Sequence, residues 1–343
     1  MWEEMLLQRG FLSHYPVSRD VIYSFLQDYY KERDIASGRN LHSLLVLNDL
    51  DKQVVLGDHL IRLFIACGTL LEANIVFCSL SQPSIHTWQA IISGHTVQNK
   101  HGMSIQLYER MQHEGICPDE FIFSSILKAC GKVKDISYGR CLHNGIVLIG
   151  LECNVVLGSS LVDMYSKSGN LTKAEHVFHK LSIQDRVSWT ILMGGYAQLG
   201  QIENVLLIFE RMLGEGIKPD PVAFLVVLDT CTRAGLVNKG YSYYEAMSKD
   251  YGIVPTLEHH VCMVNLFGSL GQLQKALTMS KETSASHSPA VWRTVLNACR
   301  NWGNVELGKQ AFNHAMHLEK KDAVSYVFMS LIYASCYDIG ANG

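Results

Sequence analysis

The sequence predicts an all-α fold, a right-handed α-solenoid of stacked helix-turn-helix repeats. Three observations predict it. The first is an internal period of 101 residues: Gly-Ile-x-Pro-Asp occurs at 115–119 and again at 216–220. At the same offset Trp88 pairs with Trp189, His42 with His143, Gly68 with Gly169 and Phe77 with Phe178. A repeat of this kind signals an architecture whose units bury their apolar faces only by stacking on neighbours. The second observation is helical spacing inside each period, and the third is the lack of any run with sustained strand alternation.

The unit at 186–220 shows the element pattern most clearly. Trp189, Leu192, Met193 and Tyr196 fall at i, i+3, i+4 and i+7, which is one face of a helix. Gly200 interrupts that face as a C-terminal glycine does. Val205, Ile208, Phe209 and Met212 repeat the spacing on a second helix, and Gly216 and Pro219 end it. The same frame gives units at 19–53, 54–84, 85–119, 120–154, 155–185, 186–220, 221–256, 257–288 and 289–322, followed by a partial unit. Unit lengths cycle as 35, 31 and 35 residues over the first two rounds. The weakest helical pattern is at 222–228, where β-branched residues crowd a first helix.

Composition supplies the core and limits the chemistry. Hydrophobic residues make up 48% of the 343, enough for a continuous core, and the 7 prolines fall in part at unit boundaries (Pro83, Pro118, Pro219, Pro255). No stretch approaches 18 uninterrupted apolar residues, so no membrane span is expected; the most tempting stretch, 145–158, is broken by Glu152 and Asn154. The 10 cysteines are scattered at spacings of 11 residues or more, which fits neither a zinc knuckle nor a disulfide framework and suits a reducing compartment. Cys130, Cys231 and Cys299 recur at one helical position and read as small packing residues. His259 and His260 beside Glu258 point to different sides of a helix, so no metal centre is expected there. No phosphate-binding loop, nucleophile triad or carboxylate pair stands out, and neither an enzyme activity, a cofactor nor a small-molecule substrate is expected. Trp88, Trp189 and Trp292 lie on the apolar stripe and are expected in the core.

The motifs are specific enough to show a resemblance. Ser188-Trp189-Thr190, Gly195-Tyr196-Ala197-Gln198 and the Gly-Ile-Lys-Pro-Asp at 216–220 resemble a P-type repeat of plant pentatricopeptide repeat (PPR) proteins of the PLS subclass. Phe123-Ser124-Ser125-Ile126-Leu127 with Gly139-Arg140-Cys141-Leu142-His143 resembles the long-type repeat, and Ser160-Leu161-Val162-Asp163-Met164-Tyr165 with Ser168-Gly169 the short-type repeat. Val291-Trp292 through Gly303-Asn304-Val305-Glu306-Leu307-Gly308 resembles the first part of the family's E region. The resemblance spans roughly residues 19–335 and implies three parts: a non-repeat segment at 1–18, a PLS-type array at 19–288 and C-terminally incomplete E-type repeats at 289–343. Tetratricopeptide repeats, the nearest rival, differ in their Trp/Leu-Gly/Tyr pattern, in lacking 31-residue units and in lacking the Pro-Asp unit ends.

What the resemblance implies is recognition of single-stranded RNA at about one base per repeat. The fifth and last residues of a repeat contact the base edge, and the second packs against its face. Carried over, the edge pairs are Gln89 with Asp119, Ser124 with Asn154, Ser159 with Asp185, and Thr190 with Asp220; Val156 and Val187 are the face-packing residues. Thr with Asp resembles the guanine-preferring pair, Ser with Asp leans the same way, and Ser with Asn resembles an adenine pair. Gln with Asp follows no strong rule, and Asp58 with Ser84 departs from the usual pattern. Leu225 and Val261 hold the fifth position of the next two units and cannot hydrogen-bond a base. Aspartate is also favoured as a helix cap, so Asp119 and Asp220 carry two expected roles.

The implied partner is organellar RNA, mitochondrial or plastid, with site recognition for cytidine-to-uridine editing as the leading role and a deaminase-bearing or editing-complex protein meeting the E region. Transcript splicing, processing or stability is the alternative within RNA biology, and a peptide-binding scaffold the alternative outside it. A self-contained deaminase ranks last: His317-Leu318-Glu319 matches the His-x-Glu triplet, but no Pro-Cys-x-x-Cys follows. Glu3 and Glu4 argue against a transit peptide in residues 1–18. Net charge is −3, without a basic run, which implies modest affinity and little sequence-independent binding.

Overall fold

A computed structural model describes residues 19–48, 50, 52–151, 154–282 and 284–340 of the chain. The non-repeat segment at 1–18 lies outside the described residues. Nineteen α-helices and one short 3-10 turn make up the described residues, with no strand among them. In chain order the helices are α1 (Arg19–Glu32), α2 (Ile35–Leu47), α3 (Val54–Ala66), α4 (Leu70–Ser79), α5 (Ile85–Val97), α6 (His101–His113), α7 (Glu120–Val133), α8 (Ile136–Leu148), α9 (Val155–Lys167) and α10 (Leu171–Lys180). They continue as α11 (Arg186–Gln198), α12 (Ile202–Gly214), α13 (Pro221–Ala234), α14 (Val237–Lys249), α15 (Leu257–Ser269), α16 (Leu273–Glu282), α17 (Pro289–Asn301), α18 (Val305–Leu318) and α19 (Ala323–Gly340).

Every first helix begins on the first residue of a unit in the repeat frame, and at α5, α7, α9, α11 and α13 the last residue of the preceding unit caps it through its side chain, whereas Gln53 and Ser288, ahead of α3 and α17, make no such bond. Asp119 Oδ1 accepts from the Ile122 amide (2.9 Å), Asp185 Oδ1 from Ser188 (2.8 Å) and Asp220 Oδ1 from Ala223 (2.8 Å). Ser84 and Asn154 cap α5 and α9 in the same way. Each such side chain satisfies an amide that a helix start leaves unpaired. The 222–228 stretch is helical within α13, with Asp220 as cap and Pro221 at its first position, a favoured helix entry. Gly115 and Gly216 both sit at φ +75°, the left-handed conformation that ends α6 and α12 and frees the chain to turn into the next cap.

The chain divides into two units, Met1–Ser182 and Ile183–Gly343. In the first, the first helices α1, α3, α5, α7 and α9 pack successively on one another; in the second, α11, α13, α15, α17 and α19 do the same. Within each unit a second helix rests on its own first helix and, where another hairpin follows in that unit, on the first helix of that hairpin. Trp88, Trp189 and Trp292 are wholly buried, as their place on the apolar stripe requires. Phe77 meets Trp88 edge-on at 4.7 Å, and Trp292 stacks on His314 at 4.2 Å. Glycine sets the closest approach: a Cβ on Gly139 in α8 would come within 2.4 Å of Met164 Sδ in α9, and Gly38 and Gly240, one period to either side, meet Leu63 and Leu266 likewise. Each unit is thus an α-solenoid of stacked hairpins.

Candidate RNA-binding face

The predicted contact residues are all carried by first helices and their caps. A second and a fifth residue are three apart and share one helix face. Val156 and Val187 sit at second positions and are 56% and 50% exposed, apolar side chains that the core has not taken up. Three more side chains share that register and stand outside the pairs predicted from sequence: Val55, Phe121 and Val222, each more than half exposed. The signal for them lay in the period itself, since Val55 precedes Val156, and Phe121 precedes Val222, by 101 residues.

The fifth and last residues bond to each other in two hairpins, α3–α4 and α17–α18. In the hairpin α3–α4, Ser84 Oγ donates to Asp58 Oδ2 at 3.0 Å, and Thr87 Oγ1 donates to the other carboxylate oxygen. In α17–α18, Arg293 Nε donates to Asp322 Oδ2 at 2.8 Å, with Glu319 on the same guanidinium at 2.9 Å. Glu319, the acid of the His-x-Glu triplet, is therefore an ion-pair partner. In both hairpins the two positions bond to each other and to a neighbouring side chain, Thr87 or Glu319.

The four predicted pairs differ. Gln89 is half-buried and lines a recess of about 260 Å³ among first helices, with Tyr30 and Arg62. Asp119 caps α7 through Oδ1 only. Ser124 is 8% exposed, and its hydroxyl lies 2.9 Å from Ser160 Oγ. Its partner Asn154 caps α9 and donates through Nδ2 to Glu120 Oε2 at 2.5 Å. Ser159 is buried on α9, and Asp185 caps α11. Thr190 is half-buried and donates to the Arg186 carbonyl at 2.9 Å, which leaves its hydroxyl oxygen able to accept. Asp220 Oδ2 lies 3.8 Å from Arg186 Nε. Two of the last-position side chains, Asn154 and Asp220, thus lean on the first residue of their own unit, Glu120 or Arg186.

Chemically this face offers apolar platforms with amide, hydroxyl and carboxylate edges beside them, the complement of an unstacked base. Among the described residues no group of three or more His, Cys, Asp or Glu side chains is placed to hold a metal ion.

Comparison with known proteins agrees with this geometry. The PPR repeat family model matches residues 83–132 and 184–233, and the PPR repeat model matches 159–182. A putative pentatricopeptide repeat-containing protein of Arabidopsis thaliana is 32% identical over 301 residues, 88% of this chain and 40% of that protein. Another from the same plant is 33% identical over 311 residues, 91% of this chain and 62% of its own length. A third, whose name marks it as mitochondrial, is 32% identical over 87% of this chain and 48% of its own. The chain thus spans less than two thirds of these relatives. Among solved structures, maize PPR10 superposes over 97% of this chain and 61% of its own with a TM-score of 0.54 at 15% identity. PPR10 in complex with an 18-nt psaJ RNA element superposes over 93% of this chain and 53% of its own with a TM-score of 0.52 at 17% identity. The repeated first-helix register, the repeat-family matches and these relatives together make the chain a member of the pentatricopeptide repeat family.

Proposed function

We propose that this chain recognises single-stranded organellar RNA base by base, as a PLS-subclass protein with its repeat array at 19–288 and E-type hairpins from 289. Its task in this reading is to select sites for cytidine-to-uridine editing in a mitochondrion or plastid, with the deaminase brought by a partner at the E-type end. The observation that carries the reading is the first-helix register: an exposed apolar second residue recurs beside a polar fifth residue and a capping last residue. Such a register suits bases that present a face and an edge, not a folded peptide. The RNA-bound PPR10 structure shows that this fold accommodates an RNA strand in that protein.

The pairs Ser159–Asp185 and Thr190–Asp220 lead to two consecutive guanines, read 5′ to 3′. Selection from a randomised single-stranded RNA pool by the purified chain tests this. Enrichment of adjacent guanines is expected, and a pool without base bias at any position overturns the reading. In the organism, loss of the chain should leave particular cytidines unconverted. Altered splicing or transcript length with intact conversion would favour the processing role instead.

A further inference from the structure

Successive second helices leave a groove between them where a long hairpin precedes a short one. The second helix of the short hairpin, α10, has 10 residues against 13 in α8. Between α8 and α10 the groove encloses about 350 Å³. Arg140, His143 and Asn144 line it from α8, Lys173 and His176 from α10, and Tyr165 from α9 beneath. No acidic side chain lines it among the described residues. His143 Nδ1 and Tyr165 Oη are 2.9 Å apart, so an imidazole and a phenol are already ordered inside. Burial raises the Tyr165 phenol above its ordinary value, while the nearby Arg140 charge opposes that rise.

The repeat supplies an internal comparison. One period earlier the equivalents of Arg140 and Lys173 are Arg39 and Glu72. There Arg39 Nε on α2 donates to Glu72 Oε1 on α4 at 3.0 Å. Glu72 is held below its ordinary carboxylate value chiefly by that hydrogen bond. One period later the equivalents are Tyr241 and Gln274, lining an aromatic groove of about 690 Å³ between α14 and α16. Of these three equivalent pairs, the one at α8–α10 alone places a cation on both walls. Among the described residues no carboxylate pairs with Arg140 or Lys173. Two like charges facing each other where the same scaffold elsewhere holds an ion pair is an unfavourable arrangement in the absence of an anion.

We propose that the α8–α10 groove binds a phosphate group. A guanidinium fork and an ammonium on opposite walls, with a bonded imidazole–phenol pair between that keeps one N–H or O–H to donate, suit a tetrahedral anion carrying more than one charge. A single carboxylate needs only one of the two cations, as Glu72 shows. The site lies on second helices, away from the register of the reading pairs, and does not depend on base recognition. The phosphate is either that of a small phosphorylated compound or the terminal phosphate of an RNA.

The experiment is calorimetric titration of the whole chain with inorganic pyrophosphate at fixed ionic strength. Lys173→Glu restores the arrangement of Arg39 and Glu72, so it should fold at least as stably as the wild type. Lys218→Glu makes the same charge change on an exposed loop and serves as control. Wild type and Lys218→Glu should bind pyrophosphate alike, and Lys173→Glu about tenfold or more weakly. No binding by the wild type, or equal weakening in both variants, overturns the proposal. A short RNA with a 5′ monophosphate, compared with its 5′-hydroxyl form as competitor, then identifies the source. Displacement by the phosphorylated RNA alone assigns the site to an RNA end, and displacement by neither assigns it to a small phosphorylated compound.

Discussion

Asp220 shows how one side chain serves two ends. Its Oδ1 caps α13, and its Oδ2 stays at the surface near Arg186. Asparagine keeps the capping oxygen and removes the charge; alanine removes both. Asp220→Ala should therefore cost about 1 kcal/mol of stability by loss of the cap, and Asp220→Asn only a few tenths. Thermal or urea unfolding checks both. If Asp220 also reads a base, Asp220→Asn should change base preference with the fold intact, and an unchanged preference would leave it a cap alone. Thr190→Asn is the matching test on the fifth position. It should move preference at that one base from G to U while the position read by Ser159 and Asp185 keeps its profile. One good edge contact is worth roughly 1–3 kcal/mol, a factor of about five to a hundred in affinity. A four-base gel-shift panel reads this out. Capping by these aspartates was legible from residue type and position. The bond between Ser124 and Ser160 was not, because it joins the fifth position of one unit to the sixth of the next, a contact that appears only once the hairpins stack.

At the scale of the element, the period placed every first helix, and a capping side chain such as Ser84, Asn154 or Asp220 marks several of the starts, because capping geometry is local. The helix at 222–228 defied its β-branched propensity because its buried face, with Phe224, Val227 and Leu228, packs against neighbouring helices. Close approach at Gly139 was invisible to pattern reading, since a glycine in a helix signals only a weak spot until its neighbour is known. Truncating Trp189 to alanine should cost about 3–5 kcal/mol, as for other fully buried aromatics. The hairpin α17–α18 carries a pH signature. Burial alone would raise the Asp322 carboxyl, but the bonds from Arg293 and Ser325 outweigh it and hold it below its ordinary value of 3.8. A carboxyl depressed in the folded state stabilises above its unfolded value and loses that contribution as pH falls through its folded one. Wild type should therefore exceed Asp322→Asn in stability at pH 6, and the difference should shrink once pH drops below about 4. Denaturation at both pH values measures it. A difference that persists at pH 2 would assign the effect to packing instead.

For the molecule as a whole, charge is the informative quantity. The formal net charge is −3, with 29 Lys and Arg against 32 Asp and Glu. Several of the cations are already spent internally: Arg39 on Glu72, Lys167 on Asp163, and Arg293 on Asp322 and Glu319. An RNA strand held through phosphates releases about 0.7 counterions per contact, so the logarithm of affinity falls with the logarithm of salt at about −0.7 times the number of phosphates neutralised. With no net excess of cations and no basic run, binding should rest on base faces and edges, and the slope should be shallow, about −3 or less in magnitude. Fluorescence anisotropy with a guanine-containing RNA between low and physiological salt gives that slope. A slope as steep as that of a basic nucleic-acid binder, together with equal affinity for every sequence, would mean that the first-helix register contributes little and that the chain grips the backbone. Lys173→Glu sharpens the distinction. If the RNA carries no terminal phosphate, this variant should leave both the slope and the base preference as they were, because the α8–α10 groove lies on second helices. A shallower slope in Lys173→Glu with such an RNA would place an internal backbone phosphate in that groove.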